Sequence, residues 1–78
     1  MMTTFVASAR SAGTDLGRAY ARITGVQMTK FYRLFEEVRE ASCIALRKSG
    51  HSCAQIDLWR SEMTSAYHDA VAKKMRIH

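Results

Sequence analysis

The chain has 78 residues, enough for one small domain near the lower size limit at which a single hydrophobic core supports itself. It has no proline and 47% of its residues are hydrophobic, so the composition favours an all-helical domain over a sheet protein. Twelve Lys and Arg against seven Asp and Glu give a net charge of +5, which permits contact with nucleic acid or an acidic protein face but establishes neither. Because no apolar run reaches the ~18 residues of a membrane-spanning helix, we expect no membrane partner.

The first residues of the chain have no strong periodicity. Residues 1–13 are small and hydroxylic, and we predict a flexible N-terminal lead-in to a single helical domain over 14–78. From Met1 to Lys30 the chain contains one acid, Asp15, among several bases, a composition that is also typical of an organellar transit peptide. One alternative is a plain Ala- and Ser-rich lead-in. A second is that Met28, where strong periodicity begins, is an alternative start.

Within residues 1–30 one short helix is predicted, over residues 15–24. Thr14 can cap its start and Gly25 can end it. Gly17 weakens the helix by about 1 kcal/mol relative to Ala, so packing must hold it in place. The apolar positions recur at i, i+3, i+4 and i+7: Leu16, Ala19, Tyr20 and Ile23.

The strongest helical pattern covers residues 28–49. A broad apolar stripe runs along this segment, and charged side chains fill much of the remaining surface. We therefore predict a long amphipathic helix whose stripe forms the core. The stripe consists of Phe31, Leu34, Phe35, Val38, Ala41, Ala45 and Leu46.

A tight turn and a third helix follow. Gly50 suits the left-handed position that closes a helix, and Ser52 with Gln55 can form a capping box at the next helix start. The third helix is predicted over 53–75, about 34 Å long, and its C-terminal half extends beyond the core or bends. Its apolar face includes Trp59, which we expect to be a main anchor between the helices that flank the turn. The predicted fold is therefore all-α, a three-helix domain with a helix-turn-helix-like pair around Gly50.

The two cysteines are too few for a disulfide scaffold. Cys43 should stand about 10 Å along the helix axis from the turn that holds Cys53, whereas a disulfide needs alpha carbons within about 7 Å. We therefore expect free thiols in a reducing, cytoplasmic compartment, with a redox pair as the alternative. A zinc site on Cys43, His51 and Cys53 would need Asp57 or His68 as fourth ligand, and this spacing matches no closed four-ligand pattern. No metal or other cofactor is predicted.

The chain shows no catalytic motif. His68 and Asp69 are adjacent on a helix, so their side chains do not face each other. No nucleophile lies at a recognisable elbow and no Gly-rich phosphate loop is present. We therefore expect a protein that is not an enzyme.

The stretch around the turn resembles the helix-turn-helix segment of phage repressor and Cro type transcription regulators. That family has Gly in the turn, a capping residue two positions later, Ile or Val near the middle of the recognition helix, and a bulky apolar residue three later, often followed by a base. Those places are occupied by Gly50, Ser52, Ile56, Trp59 and Arg60. The resemblance covers residues 41–62 and implies a helical regulator that engages DNA.

The outward positions of the third helix depart from that family. A DNA-reading helix presents polar side chains to base edges, and Gln55 is the best candidate reader here. Asp57 would face phosphates with the wrong sign, and Leu46 replaces the small Ala where the family's helices cross. This face is better suited to a protein, so the predicted partner-binding residues are Cys53, Ala54, Leu58 and Ser61.

Nucleic-acid affinity, if present, would depend on basic side chains acting on phosphates. It would be weak, independent of sequence and lost as salt rises. The candidate contacts, including the reader, are Arg18, Arg22, Arg47, Lys48, Gln55, Arg60, Lys73, Lys74 and Arg76.

Two function classes follow. The first is a small non-enzymatic transcription regulator, phage-like, that engages the transcription apparatus through DNA or through a protein component such as RNA polymerase. The second is a helical protein-interaction adaptor or inhibitor, for example a homodimeric αα-hairpin, unrelated to nucleic acid. The charge slightly favours the first class, and the apolar outward residues favour protein contact within either class.

Overall fold

The computed structural model describes residues 2–20 and 27–76, with side chains described for 4–20 and 30–73. These residues form three helices and contain no strand: α1 (Met2–Tyr20), α2 (Gln27–Lys48) and α3 (Cys53–Arg76). The predicted all-α, three-helix fold is confirmed. α2 and α3 begin and end within one residue of their predicted bounds, and α3 is a single unbroken helix.

The end of α2 has the hydrogen bonds that its sequence predicts. Gly50 has a φ of +92°, a conformation that side chains with a Cβ rarely adopt. Its amide donates to the carbonyl of Arg47, and the amide of His51 donates to the carbonyl of Leu46, both at 3.1 Å. This pair of bonds is a Schellman motif. The His51 ring adds a further bond, from Nδ1 to the same Leu46 oxygen at 3.1 Å.

The start of α3 is closed by the predicted capping box. The amide of Ser52 donates to Oε1 of Gln55 at 3.0 Å, and the amide of Gln55 donates to Oγ of Ser52 at 3.2 Å. Two amides without helical partners are thereby satisfied reciprocally. The prediction that one helix stops and another begins within a few residues is confirmed.

The first helix begins at Met2, well before the predicted start at residue 15. Residues 2–13, predicted as a flexible lead-in, are therefore helical, and that boundary prediction is wrong. The reason is a face of small buried residues at every fourth position, Ala9, Gly13 and Gly17, which packs against α3. The predicted end of this helix, at residues 21–25, lies outside the described residues.

The backbones of α1 and α3 approach each other closely at two glycines. A Cβ on Gly13 would collide with the main-chain carbonyl of Met63. A Cβ on Gly17 would lie 2.8 Å from the carbonyl oxygen of Tyr67 and 2.7 Å from the Cβ of Ala70. Only glycine fits such a crossing. Since the contacts advance together along both helices, α1 runs parallel to α3.

The two helices around the turn form a long antiparallel hairpin. Near the turn, Glu40 of α2 accepts hydrogen bonds from Arg60 of α3. Towards the other end, the rings of Tyr32 and His68 stack with centroids 5.5 Å apart. α3 is the central helix, because it packs against both neighbours while α1 and α2 approach each other much less.

The core lies where the three helices meet. Phe35 and Met63 are fully buried, and Tyr67 is almost so. The rings of Phe35 and Tyr67 stack with centroids 4.0 Å apart, which joins α2 to α3. Burial raises the pKa of the Tyr67 hydroxyl above its usual value. Ala9 of α1 and Val71 complete this cluster.

Trp59 connects α1 to the turn end of the molecule. It is half-buried and packs at the edge of the core. The ring of Phe5 lies 5.3 Å from the Trp59 ring and 5.4 Å from that of His51. Trp59 thus also anchors α1, which its position in the hairpin did not predict. Its buried Nε1 has no hydrogen-bond partner among the described residues.

Candidate interaction surface

The predicted partner-binding face on α3 is only weakly apolar. Cys53, Ala54 and Ser61 are exposed, and all three are small. Leu58, the one large apolar member, is half-buried. The structure therefore brings these residues to one side of α3 but leaves little apolar area there for a partner to cover.

The two side chains best placed to read DNA bases are engaged within the chain. Gln55 is held by the capping box at the start of α3. Arg60 donates from Nε and Nη2 to the two carboxylate oxygens of Glu40, both at 3.0 Å, and from Nη1 to Asp57 at 3.1 Å. A bidentate pair of this kind fixes the guanidinium plane. Either residue would have to leave its partner before it could contact a base.

Arg39 extends this ion-pair network across the hairpin. Its Nε donates to Glu40 at 2.8 Å and its Nη1 donates to the hydroxyl of Thr64 at 3.1 Å. Its Nη2 lies 3.7 Å from Glu36, three residues earlier on the same helix. Hydrogen bonds from Arg60 and then from Arg39 lower the pKa of Glu40 from 4.5 to about 2. The network therefore ties α2 to α3 beside the core.

We expect acid to weaken this network. Because the pKa of Glu40 is lowered in the folded chain, its contribution to stability is complete above pH 4.5 and is lost as the pH falls towards 2. The Glu40 side chain is 45% exposed, so the contribution is modest, about 1 kcal/mol. Glu40→Gln should remove this contribution to the free energy of unfolding at neutral pH. The variant should then lose less stability than the parent chain as the pH falls, as measured by urea denaturation at successive pH values.

The control for this experiment is Glu37→Gln. Glu37 is exposed on the same helix and makes no ion pair with a described residue. That variant should keep the acid dependence of the parent chain. An identical acid dependence in Glu40→Gln and the parent chain would contradict the role given to the network.

The predicted nucleic-acid contacts do not form one surface. Arg47 and Lys48 are exposed at the end of α2, beside the turn. Arg18 and Lys73 are exposed near the far ends of α1 and α3, roughly 30 Å away along the helix axis. Arg22 lies outside the described residues, as do the side chains of Lys74 and Arg76.

A different apolar surface lies on α2. Leu34 and Val38 are 37% and 41% exposed, and Ala41 and Ala45 beside them are exposed as well. We call these four residues the α2 stripe. The sequence predicted all of them as core, and that part of the prediction is wrong. α2 meets α3 through Phe35 and Cys43 on its other side, and the α2 stripe is left exposed.

The thiols occupy unlike environments. Cys43 is buried, and burial raises the pKa of its thiol, whereas Cys53 is exposed at the start of α3. Both are free, so the prediction of unpaired thiols is confirmed. Within the described residues, no group of three His, Cys, Asp or Glu side chains converges as metal ligands would.

Comparison with known proteins adds no relative. No family model, curated protein or solved structure matches the chain significantly. The resemblance of residues 41–62 to repressor-type regulators therefore stays a prediction. Among the described helices, none combines the length and apolar character needed to span a bilayer.

Proposed function

We propose that this chain is a protein-interaction module that acts by binding another protein through the α2 stripe. The observation that carries the proposal is a row of apolar side chains left exposed on a helix whose opposite side is already packed. Ile44, at the edge of the row, is 52% exposed. Grouped exposed apolar residues are typical of interaction sites, whereas single ones are not.

The spacing of the α2 stripe favours a helical partner. Leu34, Val38, Ala41 and Ala45 are separated by four, three and four residues. This alternation is the a/d pattern of a coiled-coil seam, which places every member along one line facing a single neighbouring helix. The two alanines leave room for that helix to come close. The seam spans about 16 Å of α2, roughly three turns.

DNA reading receives less support as the main function. Helix-turn-helix units join their helices at about 90–120°, whereas α2 and α3 keep contacts from the turn to Tyr32 and His68. The exposed cations Arg47 and Lys48 beside the turn favour, at most, salt-sensitive contact with phosphates. A regulatory role remains within the proposal if the bound protein belongs to the transcription apparatus.

The proposal can be tested by photo-cross-linking in the cells that produce the chain. A photoreactive residue replaces Ala41, in the α2 stripe, or Ser61, on the exposed face of α3. We expect one discrete protein adduct from position 41 and none from position 61. Val38→Glu, which places a charge in the seam, should abolish the adduct from position 41, because burying an unpaired carboxylate is strongly unfavourable.

The matched control is Ala54→Glu, which adds the same charge to an exposed position of the predicted α3 face. Circular dichroism first establishes that both variants are folded. Adducts from position 61 that are lost in Ala54→Glu and kept in Val38→Glu would contradict the proposal and restore α3 as the binding face. Adducts with nucleic acid from either position would favour the regulator that reads DNA.

A further inference from the structure

The charges of the chain are neutralised unevenly. Of its seven carboxylates, five make ion pairs with only three arginines. Arg10 holds two of them, reaching Glu62 at 3.1 Å and Asp69 at 3.2 Å across the α1–α3 contact. Arg39 and Arg60 hold the other three: Glu36, Glu40 and Asp57. Most of the acidic side chains are therefore paired within the chain, and the described cations without an ion pair outnumber the described acids without one.

Among the described side chains, the imbalance is largest on α2, the helix that carries the α2 stripe. Four exposed cations of α2 make no ion pair with a described residue: Lys30, Arg33, Arg47 and Lys48. Glu37 is the one acid of α2 that is exposed and makes no ion pair with a described residue. The described α2 surface thus offers four uncompensated positive charges against one negative charge. Lys48 lies three residues after Ala45 and continues the seam itself.

A second copy of the chain is a poor occupant of this seam. If two α2 helices pair antiparallel, with Leu34 level with Ala45 and Val38 level with Ala41, Lys30 of one copy lies beside Lys48 of the other. If they pair parallel, Lys48 faces its own counterpart. Like charges at such positions oppose association. The net charge of +5 on each copy adds long-range repulsion.

We infer that the occupant of the α2 stripe is an acidic amphipathic helix of another protein. This inference rests on the proposed function and names the chemistry of its partner. Apolar a/d residues of that helix pack on Leu34, Val38 and the two alanines, and its flanking carboxylates meet Lys30 and Lys48. Complementary charges beside a seam set partner choice and speed encounter. A lipid surface fits less well, because the seam offers mainly short side chains for insertion.

Two synthetic helical peptides test the inference. Both carry Leu at the same a and d positions, one with Glu and the other with Lys at the flanking positions. Binding to the full chain is measured by fluorescence anisotropy. We expect the acidic peptide to bind about tenfold or more tightly than the basic one, with an affinity that falls as salt rises from about 0.1 to 0.5 M. The double variant Lys30→Glu, Lys48→Glu should reverse this preference.

The outcomes separate the inference from the proposed function. Equal binding of both peptides, lost in Val38→Glu, overturns the acidic partner but keeps a helix-binding module. Binding that Val38→Glu leaves unchanged overturns the proposed function as well. Self-association abolished by Val38→Glu, seen by analytical ultracentrifugation, overturns the inference in favour of a second copy. Binding of anionic vesicles or duplex DNA that Val38→Glu removes, with neither peptide bound, also overturns it.

Discussion

Phe35→Ala should lower the free energy of unfolding by about 3 to 5 kcal/mol, which is most or all of the stability of a domain this small. Phe35 is fully buried and its ring stacks on Tyr67, so its removal leaves a cavity at the junction of α2 and α3. Surrounding groups relax only partly into such a cavity. Urea denaturation followed by circular dichroism measures the loss.

The matched control is the neighbouring position on the same helix. Leu34→Ala removes half as many carbon atoms as Phe35→Ala, and from a side chain that is 37% exposed. We expect a loss of about 1 kcal/mol or less, because much of that surface is in water in both states. Equal losses in the two variants would mean that α2 is rotated relative to the orientation described, with the α2 stripe facing the core.

The turn could be predicted from the sequence because its determinants are local. Gly50, Ser52 and Gln55 lie within five residues of one another, and each makes the hydrogen bonds expected of it. Such caps depend on backbone groups that every helix end presents. They need no knowledge of which other helix packs nearby.

The start of α1 could not be predicted in this way. The fully buried residues of α1 are Ala9, Gly13 and Gly17, which carry almost no hydrophobic signal and, in the case of glycine, disfavour a helix. These small residues allow the backbone of another helix to come close. The sequence alone does not show that α3 is that helix. A four-residue repeat of small residues was the available signal.

The sequence pattern of α2 predicts a helix but does not show which part of its apolar stripe faces the core. Leu34 and Phe35 are adjacent, hence about 100° apart around the helix, so a stripe that includes both is wider than one packing contact. Tertiary packing buries the side with Phe35 and leaves the other exposed. The excess width of the stripe was itself a sign of two apolar surfaces.

The candidate contacts depended on pairings that sequence does not show. Arg60 lies 20 residues from Glu40, and no local rule connects them. Once paired, Arg60 ceases to be a ready phosphate or base contact. The exposed cations of α2 agree with the prediction of a basic surface. They lie beside the apolar α2 stripe, however, and not on the helix predicted to contact DNA bases.

Gly13→Ala should destabilise the chain by about 2 to 4 kcal/mol, although alanine is the better helix former by about 1 kcal/mol. The added methyl group would meet the main-chain carbonyl of Met63. A backbone carbonyl inside α3 cannot change its orientation as a flexible side chain can. The whole of α1 must therefore move away from α3. That shift would also loosen Ala9 and Gly17 from α3. Steric conflict therefore outweighs helix propensity.

Helix propensity alone predicts that Gly13→Ala is stabilising, whereas the close contact with α3 predicts that it is destabilising, so the sign of the change in stability distinguishes the two. Ser8→Ala, at an exposed position of the same helix, gains propensity without a new contact and should stabilise the chain by a few tenths of a kcal/mol. Both variants are compared by urea denaturation, and limited proteolysis reports whether α1 has become accessible in Gly13→Ala. If Gly13→Ala were as stable as Ser8→Ala, α1 could not lie against α3 as closely as described. α1 would then be a helix held by its larger side chains, Phe5 and Leu16, and not by the contact of two backbones.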